Sequence, residues 1–270
     1  MLRCMESLSA RGGPRGESAR GAWLVTGAAS GFGRTFAQKI AARGAPVALW
    51  DRDLAGLEQT REMLGTDRVH LEAVDVTDPV AVQGAMDRSA SALGSIAHVF
   101  NSAGVLAVGP AEDVSRADYR RMIEVNYLGS VHVALAALPE LRRARGRANL
   151  VLVASVAGLR GFPQLAGYSA SKFAVMGFAQ ALADELEGTS VAVKVLCPPP
   201  GDTPMVRALP KVPPIYKLSP LFSAEAVVDA ALRDLERPGL VSLVDLRSKA
   251  LWRVARLAPR LLDIVVRRAR

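Results

Sequence analysis

The stretch Ala22-Trp-Leu-Val-Thr-Gly-Ala-Ala-Ser-Gly-Phe-Gly33 runs a short apolar segment straight into glycines at positions 27, 31 and 33. A run of this length without polar alternation reads as a strand, Ala22–Thr26, buried on both faces. The residues that follow, near Arg34–Ala42, read as a helix. Outward from there, apolar runs recur at Pro46–Trp50, Val69–Val74, Ile96–Phe100, Leu150–Ala154, Val191–Leu196 and Leu240–Val244. Helical segments fall between them, near Leu54–Leu64, Pro79–Leu93, Arg116–Leu138, Ala166–Leu186 and Ala224–Leu235. Alternation this regular predicts an α/β fold, a single doubly wound parallel sheet with helices on both faces. The 270 residues fit one large domain with an ample core, and half of them are apolar, a globular composition. No internal repeat or long linker divides the chain.

Composition narrows the function classes. Two cysteines, Cys4 and Cys197, cannot build a disulfide framework and do not call for an oxidising compartment, so a cytoplasmic location is expected. His70, His98 and His132 are scattered without partners at metal-ligand spacing, so no metal site is expected. The net charge of +8 sits at the ends of the chain. Residues 247–270 carry eight basic side chains against Asp263, and residues 1–20 carry four against two acidic ones, leaving the body near neutral. A phosphate-tracking nucleic-acid surface is therefore not supported. Residues 1–20, with four glycine or proline positions, read as a disordered extension ahead of a domain over 21–246. No run of about 18 uncharged apolar residues suggests a membrane-spanning helix.

The glycine loop lies between the first strand and the first helix, where glycines let the backbone approach a pyrophosphate and the helix N-terminus offers free N–H groups. This makes the fold Rossmann-like. The second strand ends in Trp50-Asp51-Arg52, with Asp51 18 residues beyond Gly33. A carboxylate there accepts hydrogen bonds from ribose hydroxyls and repels a 2′-phosphate, which favours NAD(H). Arg52 keeps NADP(H) as the alternative.

Tyr168 and Lys172 are four residues apart in Gly167-Tyr-Ser-Ala-Ser-Lys-Phe-Ala, one turn apart on one helix face. Ser155 lies 13 residues upstream, at the end of a strand. Together with Thr26-Gly27-xxx-Gly31-x-Gly33, Asn101-Ser-Ala-Gly104 and Asn126, the pattern resembles the short-chain dehydrogenase/reductase family over roughly residues 21–205. The resemblance implies that Tyr168 is the general acid/base, that Lys172 lowers its pKa and binds the nicotinamide ribose, and that Ser155 holds the substrate oxygen. It implies that Asn126 bends its helix and positions a water. It also implies a cofactor site built from Gly27, Ser30, Gly31, Phe32, Gly33, Asp51, Arg52, Asp75, Val76, Asn101, Ala103, Gly104 and Thr203, besides Tyr168 and Lys172. Pro198-Pro-Pro200 in place of a single proline, and Asn101-Ser102 in place of Asn-Asn, depart from the usual pattern.

Residues 203–222 stand where the family places its substrate lid, and their proline and large apolar side chains suggest a lipophilic alcohol or ketone, steroid-, retinoid- or fatty-chain-like. The tail 247–270 spaces charges at 249, 253, 256, 260, 263, 267 and 270, one stripe down an amphipathic helix. This reads as an interfacial membrane helix, or as a helix folded over the substrate site or a partner subunit. The expected activity is alcohol–carbonyl oxidoreduction. A non-catalytic nucleotide-binding sensor and an epimerase or dehydratase on the same fold are the alternatives. The resemblance further implies a homodimer or homotetramer formed through the helices near 116–138 and 166–186.

Overall fold

A computed structural model describes residues 21–210, 212–213, 216, 221–258 and 260. Among these, seven strands form one sheet in the order β3-β2-β1-β4-β5-β6-β7, with every pair parallel. They are β1 (Ala22–Thr26), β2 (Val47–Asp51), β3 (Val69–Ala73), β4 (Ile96–Asn101), β5 (Ala148–Val153), β6 (Val191–Cys197) and β7 (Val241–Leu243). Every run expected to be a strand is one, with ends shifted by at most two residues. The chain winds outward from β1 to β3, then returns to place β4 on the other side of β1. That reversal opens a crevice at the carboxyl ends of β1 and β4.

Each strand supplies both faces. On β1, Ala22 and Leu24 join one core cluster, while Trp23 and Val25 join the other. The first cluster is covered by α3 (Pro79–Leu93), α5 (Gly129–Arg143) and α6 (Ala166–Glu185). The second is covered by α1 (Gly31–Ala41), α2 (Leu54–Leu64) and α8 (Ala224–Asp234). Aromatic packing fixes α1 to the sheet. Phe36 stacks on Phe100 of β4 at 3.9 Å between centroids and tilts against Trp23 of β1 at 5.0 Å. The fully buried Trp50 places its indole N–H 2.9 Å from Ser89 Oγ of α3, so its burial leaves no orphaned donor.

Two elements differ from expectation. The helix expected over 116–138 runs on to Arg143 with Pro139 inside it, and a π-helical turn at Ile123–Leu128 separates α4 (Arg116–Met122) from α5. The tail forms α9 (Leu246–Leu257), N-capped by Asp245, which accepts from Ser248 N at 3.1 Å. Part of its apolar side is folded onto the domain: Leu251, Val254 and Ala255 pack against the cluster of Ala157, Phe162 and Leu165, and Trp252 packs against the first core cluster. Arg256 covers the Trp252 ring at 4.5 Å. Of the two readings of the tail, the described part adopts the folded-over one. The expectations for residues 1–20 and for 261–270 fall outside the described residues. No helix among the described residues is long and apolar enough to cross a membrane.

Because Phe36 is fully buried between two strands and α1 carries the glycine loop, Phe36→Ala should destabilise the fold by about 3–5 kcal/mol. Urea unfolding checks this. A change below about 1 kcal/mol would show that the aromatic stack is dispensable.

Candidate active site

The crevice is held by a staple of buried hydrogen bonds. Thr26 Oγ1, at the end of β1, donates to Asn101 Oδ1 at the end of β4 (2.7 Å) and accepts from Ser102 N and Ala103 N at 3.1 Å. Ser102 Oγ returns a bond to Thr26 O at 2.6 Å, and Asn101 Nδ2 donates to Ser130 Oγ of α5 at 2.8 Å. The glycine loop sits directly on this staple. A Cβ on Gly33 would lie 2.2 Å from Gly27 O and 2.8 Å from Ser102 Oγ, so no side chain fits there. Gly27 and Gly31 adopt φ of +66° and +52°, the left-handed region that glycine enters without strain. Ser30 caps α1 without using its side chain, so the first N–H groups of α1 stay open towards the crevice. On the outer side, Thr60 Oγ1 donates to Ala28 O at 2.9 Å, Arg34 Nη2 donates to Ala29 O, and Asp51 Oδ2 accepts from Ala29 N at 3.1 Å. A narrow backbone cradle ending in free helix N–H groups fits a pyrophosphate.

A cavity of about 530 Å³ runs from this cradle to Tyr168 and Lys172. Every expected cofactor residue lines it except Asn101. Asn101 is 2% exposed and spends its amide on Thr26 and Ser130. Its role is to hold the strand ends, not to form the wall. At one end lie Asp51, Arg52, Asp75 and Val76, joined by Arg121 of α4. The Thr77 backbone N–H holds the Asp75 carboxyl below its usual range against the opposing effect of burial, and the charges of Arg52 and Arg121 add to the lowering. Thr203 lines the wall as the N-cap of α7 (Pro204–Arg207) with its side chain free of a cap bond. Despite the altered proline run, Gly201 beside it packs so closely on Phe32 that a Cβ would approach the ring to 2.4 Å.

At the other end the proton-transfer groups converge. Lys172 Nζ donates to Val153 O at 2.8 Å and lies 5.8 Å from the Tyr168 ring centroid. Burial pulls the Lys172 ammonium down to about 8. The Ser155 hydroxyl, 9% exposed at the end of β5, hydrogen-bonds the Tyr168 phenol. The expected lowering of the phenol by Lys172 is not what the protein side chains produce. Burial drives Tyr168 far above its usual value, the nearby Tyr216 phenol adds to this, and only Ser155 works in the opposite direction. Asn126 sits in the π turn, the local bend expected of it. It brackets Val105, donating to its carbonyl at 2.9 Å and accepting from its N–H at 2.7 Å, and donates to Ser171 Oγ at 2.9 Å. A Cβ on Gly104 would lie 3.2 Å from Asn126 Oδ1 and 3.6 Å from Lys172 Nζ, so Gly104 lets these groups approach one another.

Sequence reasoning missed other lining residues: Ser102, Val105, Leu106, Arg121, Val125, Pro198, Met205 and Ala208 among them. The i, i+4 spacing of Arg121 and Val125 could have revealed a cavity-facing stripe on their helix, whereas the loop residues carry no local signal. No group of three metal-ligating side chains converges among the described residues.

A glycine cradle at a strand-order reversal, leading to a Ser, Tyr and Lys cluster, defines a nicotinamide-dependent oxidoreductase of the alcohol–carbonyl type. Residues 22–213 match the short chain dehydrogenase family model, and the chain belongs to the short-chain dehydrogenase/reductase family. It is 36% identical over 189 residues to a 2-dehydro-3-deoxy-L-rhamnonate dehydrogenase (NAD(+)) of Sphingomonas sp. strain SKA58, covering 70% of this chain and 75% of that one. It is 40% identical over 190 residues to a 1-deoxy-11-beta-hydroxypentalenate dehydrogenase of Streptomyces avermitilis, covering 69% and 70% of the two chains. A short-chain dehydrogenase/reductase from Burkholderia phymatum, solved in complex with NAD, superposes with a TM-score of 0.81 at 27% identity, over 90% of this chain and 95% of that one.

Lys172 titrates within reach of ordinary buffers, and its ammonium form is the one that attracts an anionic dinucleotide. Below pH 7 the group is charged and NADH affinity should be flat. Above about 8 it loses its proton, and affinity should fall by up to about tenfold per pH unit. Fluorescence titration of NADH across pH 6.5–9.5 checks this, and Lys172→Met should remove the inflection. An unchanged inflection in Lys172→Met would assign it to another group.

Proposed function

We propose that the protein is an NAD(H)-dependent alcohol dehydrogenase or carbonyl reductase acting on a lipophilic substrate. Tyr168 and Lys172 at the far end of the glycine-cradled cavity, with Ser155 hydrogen-bonded to the Tyr168 phenol behind them, carry this reading. When bound, the nicotinamide supplies the hydride acceptor or donor. The pyrophosphate would rest on Gly27–Gly33 and the N-terminus of α1, and the adenosine beside Asp51, Asp75 and Val76. Lys172 would bind the nicotinamide ribose, and Thr203 the carboxamide. Ser155 donates a hydrogen bond to the substrate oxygen. Tyr168, whose burial favours the protonated phenol, gives that oxygen a proton during carbonyl reduction and becomes the phenolate; in alcohol oxidation the phenolate takes the proton from the alcohol. Asn126 fixes Val105 and the bend of its helix, and so the distance between Gly104 and Lys172.

Asp51 supports NAD(H), since its carboxylate lies on the cavity wall where a 2′-phosphate would sit. The two relatives described above are named for a rhamnonate and a pentalenate derivative, so the substrate class is argued from this chain's own side chains. The apolar cluster that Tyr168 packs against includes Leu106, Val108, Val156, Phe162 and Leu165. Leu251, Val254 and Ala255 of α9 pack against the same cluster.

Purified protein should bind NADH at least about tenfold more tightly than NADPH, from the repulsion between Asp51 and a phosphate. Equal or inverted affinities would mean that Arg52 and Arg121 override Asp51. Tyr168→Phe should keep NADH affinity and lose about a hundred- to ten-thousandfold in turnover of a cyclic alcohol. Retained turnover would remove Tyr168 from the chemistry.

A homo-oligomer is the partner reading. Ile123, Leu128 and Leu135 on α4–α5 and Phe173 on α6 are large apolar side chains left exposed, as a helix-paired interface between copies requires. Leu135→Asp should shift a dimer or tetramer towards monomer in light scattering. A wild-type monomer at micromolar concentration would reject the assembly.

A further inference from the structure

The adenosine end of the cavity is held from behind by two residues that do not line it. Asp75 and Val76 stand on the cavity wall in the turn that follows β3. The Asp75 side of this turn braces itself: Asp75 Oδ1 accepts from Thr77 N at 2.9 Å and from Thr77 Oγ1 at 2.8 Å, and Asp78 N donates to Asp75 O at 3.1 Å. The Val76 carbonyl is met instead from α5, where His132 Nδ1 lies 3.0 Å from Val76 O. A carbonyl can only accept, so Nδ1 carries the proton, and the imidazole donates in its neutral and its charged form alike. Gly129, three residues earlier on α5, is pressed against the same residue: a Cβ there would lie 2.7 Å from Val76 Cγ2 and 3.2 Å from Val76 Cβ. That spacing makes Gly129 and His132 neighbours on the helix surface. One leaves room for the buried Val76 side chain, and the other fixes its carbonyl.

We propose that His132 is a positioning residue for the cofactor: together with Gly129, it seats the Val76 turn where the adenosine of NAD(H) is received. This rests on the NAD(H) reading above. The physical need for such a support lies in the sheet order. β3 is an edge strand, so within the sheet the turn after it has only β2 for a neighbour. Val74 N still reaches Asp51 O at 3.0 Å, and two residues further on the support comes from α5. A turn at an edge opens at low free-energy cost unless packing and hydrogen bonds hold it closed. The nicotinamide end has separate supports, among them the bond from Lys172 Nζ to Val153 O, so loosening the Val76 turn acts on the adenosine alone.

The test compares NADH with reduced nicotinamide mononucleotide, which lacks the adenosine, by fluorescence titration of the full chain. His132→Leu removes the donor and should weaken NADH binding by about fivefold, the worth of one hydrogen bond, while affinity for the mononucleotide stays within about twofold. His132→Asn places an amide N–H near the position of Nδ1 and should bring NADH affinity back to within about twofold of wild type. A ring that merely filled space would not be replaced by the smaller amide. Gly129→Ala attacks the second contact and should repeat the selective loss, so that if either it or His132→Leu unfolds, the other carries the comparison. Unchanged NADH affinity in the folded variants would overturn the proposal while leaving the NAD(H) reading intact. Equal losses for NADH and the mononucleotide, or no rescue by His132→Asn, would also overturn it. Failure of the wild-type protein to bind NADH would overturn that reading and the proposal with it.

Discussion

The molecule depends on one short hydrogen bond, Thr26 Oγ1 to Asn101 Oδ1. It joins the carboxyl ends of the two strands between which the winding reverses, so it fixes the width of the crevice. The same hydroxyl accepts from two successive backbone N–H groups, which turns the chain after β4 across the mouth of β1. Fully satisfied buried polar networks of this kind are stiff, because any displacement leaves donors and acceptors orphaned away from water. The glycine loop packs directly against this turn and inherits its rigidity.

The loop is shaped from outside as much as by its glycines. Thr60 and Arg34 take the carbonyls of Ala28 and Ala29, and Asp51 takes the N–H of Ala29. With those groups satisfied on the α2 side, the open N–H groups at the start of α1 face the cavity. Asp51 does two things at once. One oxygen braces the loop and the other accepts from Asp53 N, while the carboxylate as a whole places negative charge on the cavity wall. Cradle geometry and discrimination against an added phosphate are therefore coupled through one side chain.

The parallel sheet, its layers and nearly every element boundary were legible because they rest on local signals: uniformly apolar runs for doubly covered strands, and helical spacing between them. The cofactor wall was legible for the same reason, since glycine positions and strand-end carboxylates are set by the backbone. Three features were not. Asn101 occupies the expected strand end, but the sequence does not show which way its amide is spent. The bend at Asn126 was implied by the family resemblance, but its anchor, a pair of bonds to the distant loop residue Val105, carries no local signal. The packing of α9 onto the cluster of Ala157, Phe162 and Leu165 is purely tertiary: the same amphipathic spacing serves a membrane surface or a protein surface, and only the partner face distinguishes them.

The reacting end shows why spacing alone misleads about electrostatics. Two groups one turn apart on a helix read as a charge pair in which the ammonium favours the phenolate. Enclosure reverses that balance, because burial penalises every charged form, pushing the phenol up and the ammonium down. The pair consequently rests as a neutral phenol beside a lysine that is only partly protonated just above neutrality. Tyr168 is half-buried on the cavity wall, so a charge or hydrogen bond brought close acts on it with greater force than in bulk solvent. The apolar walls thus keep Tyr168 protonated until substrate and cofactor arrive, and make its proton transfer responsive to the few polar atoms they bring.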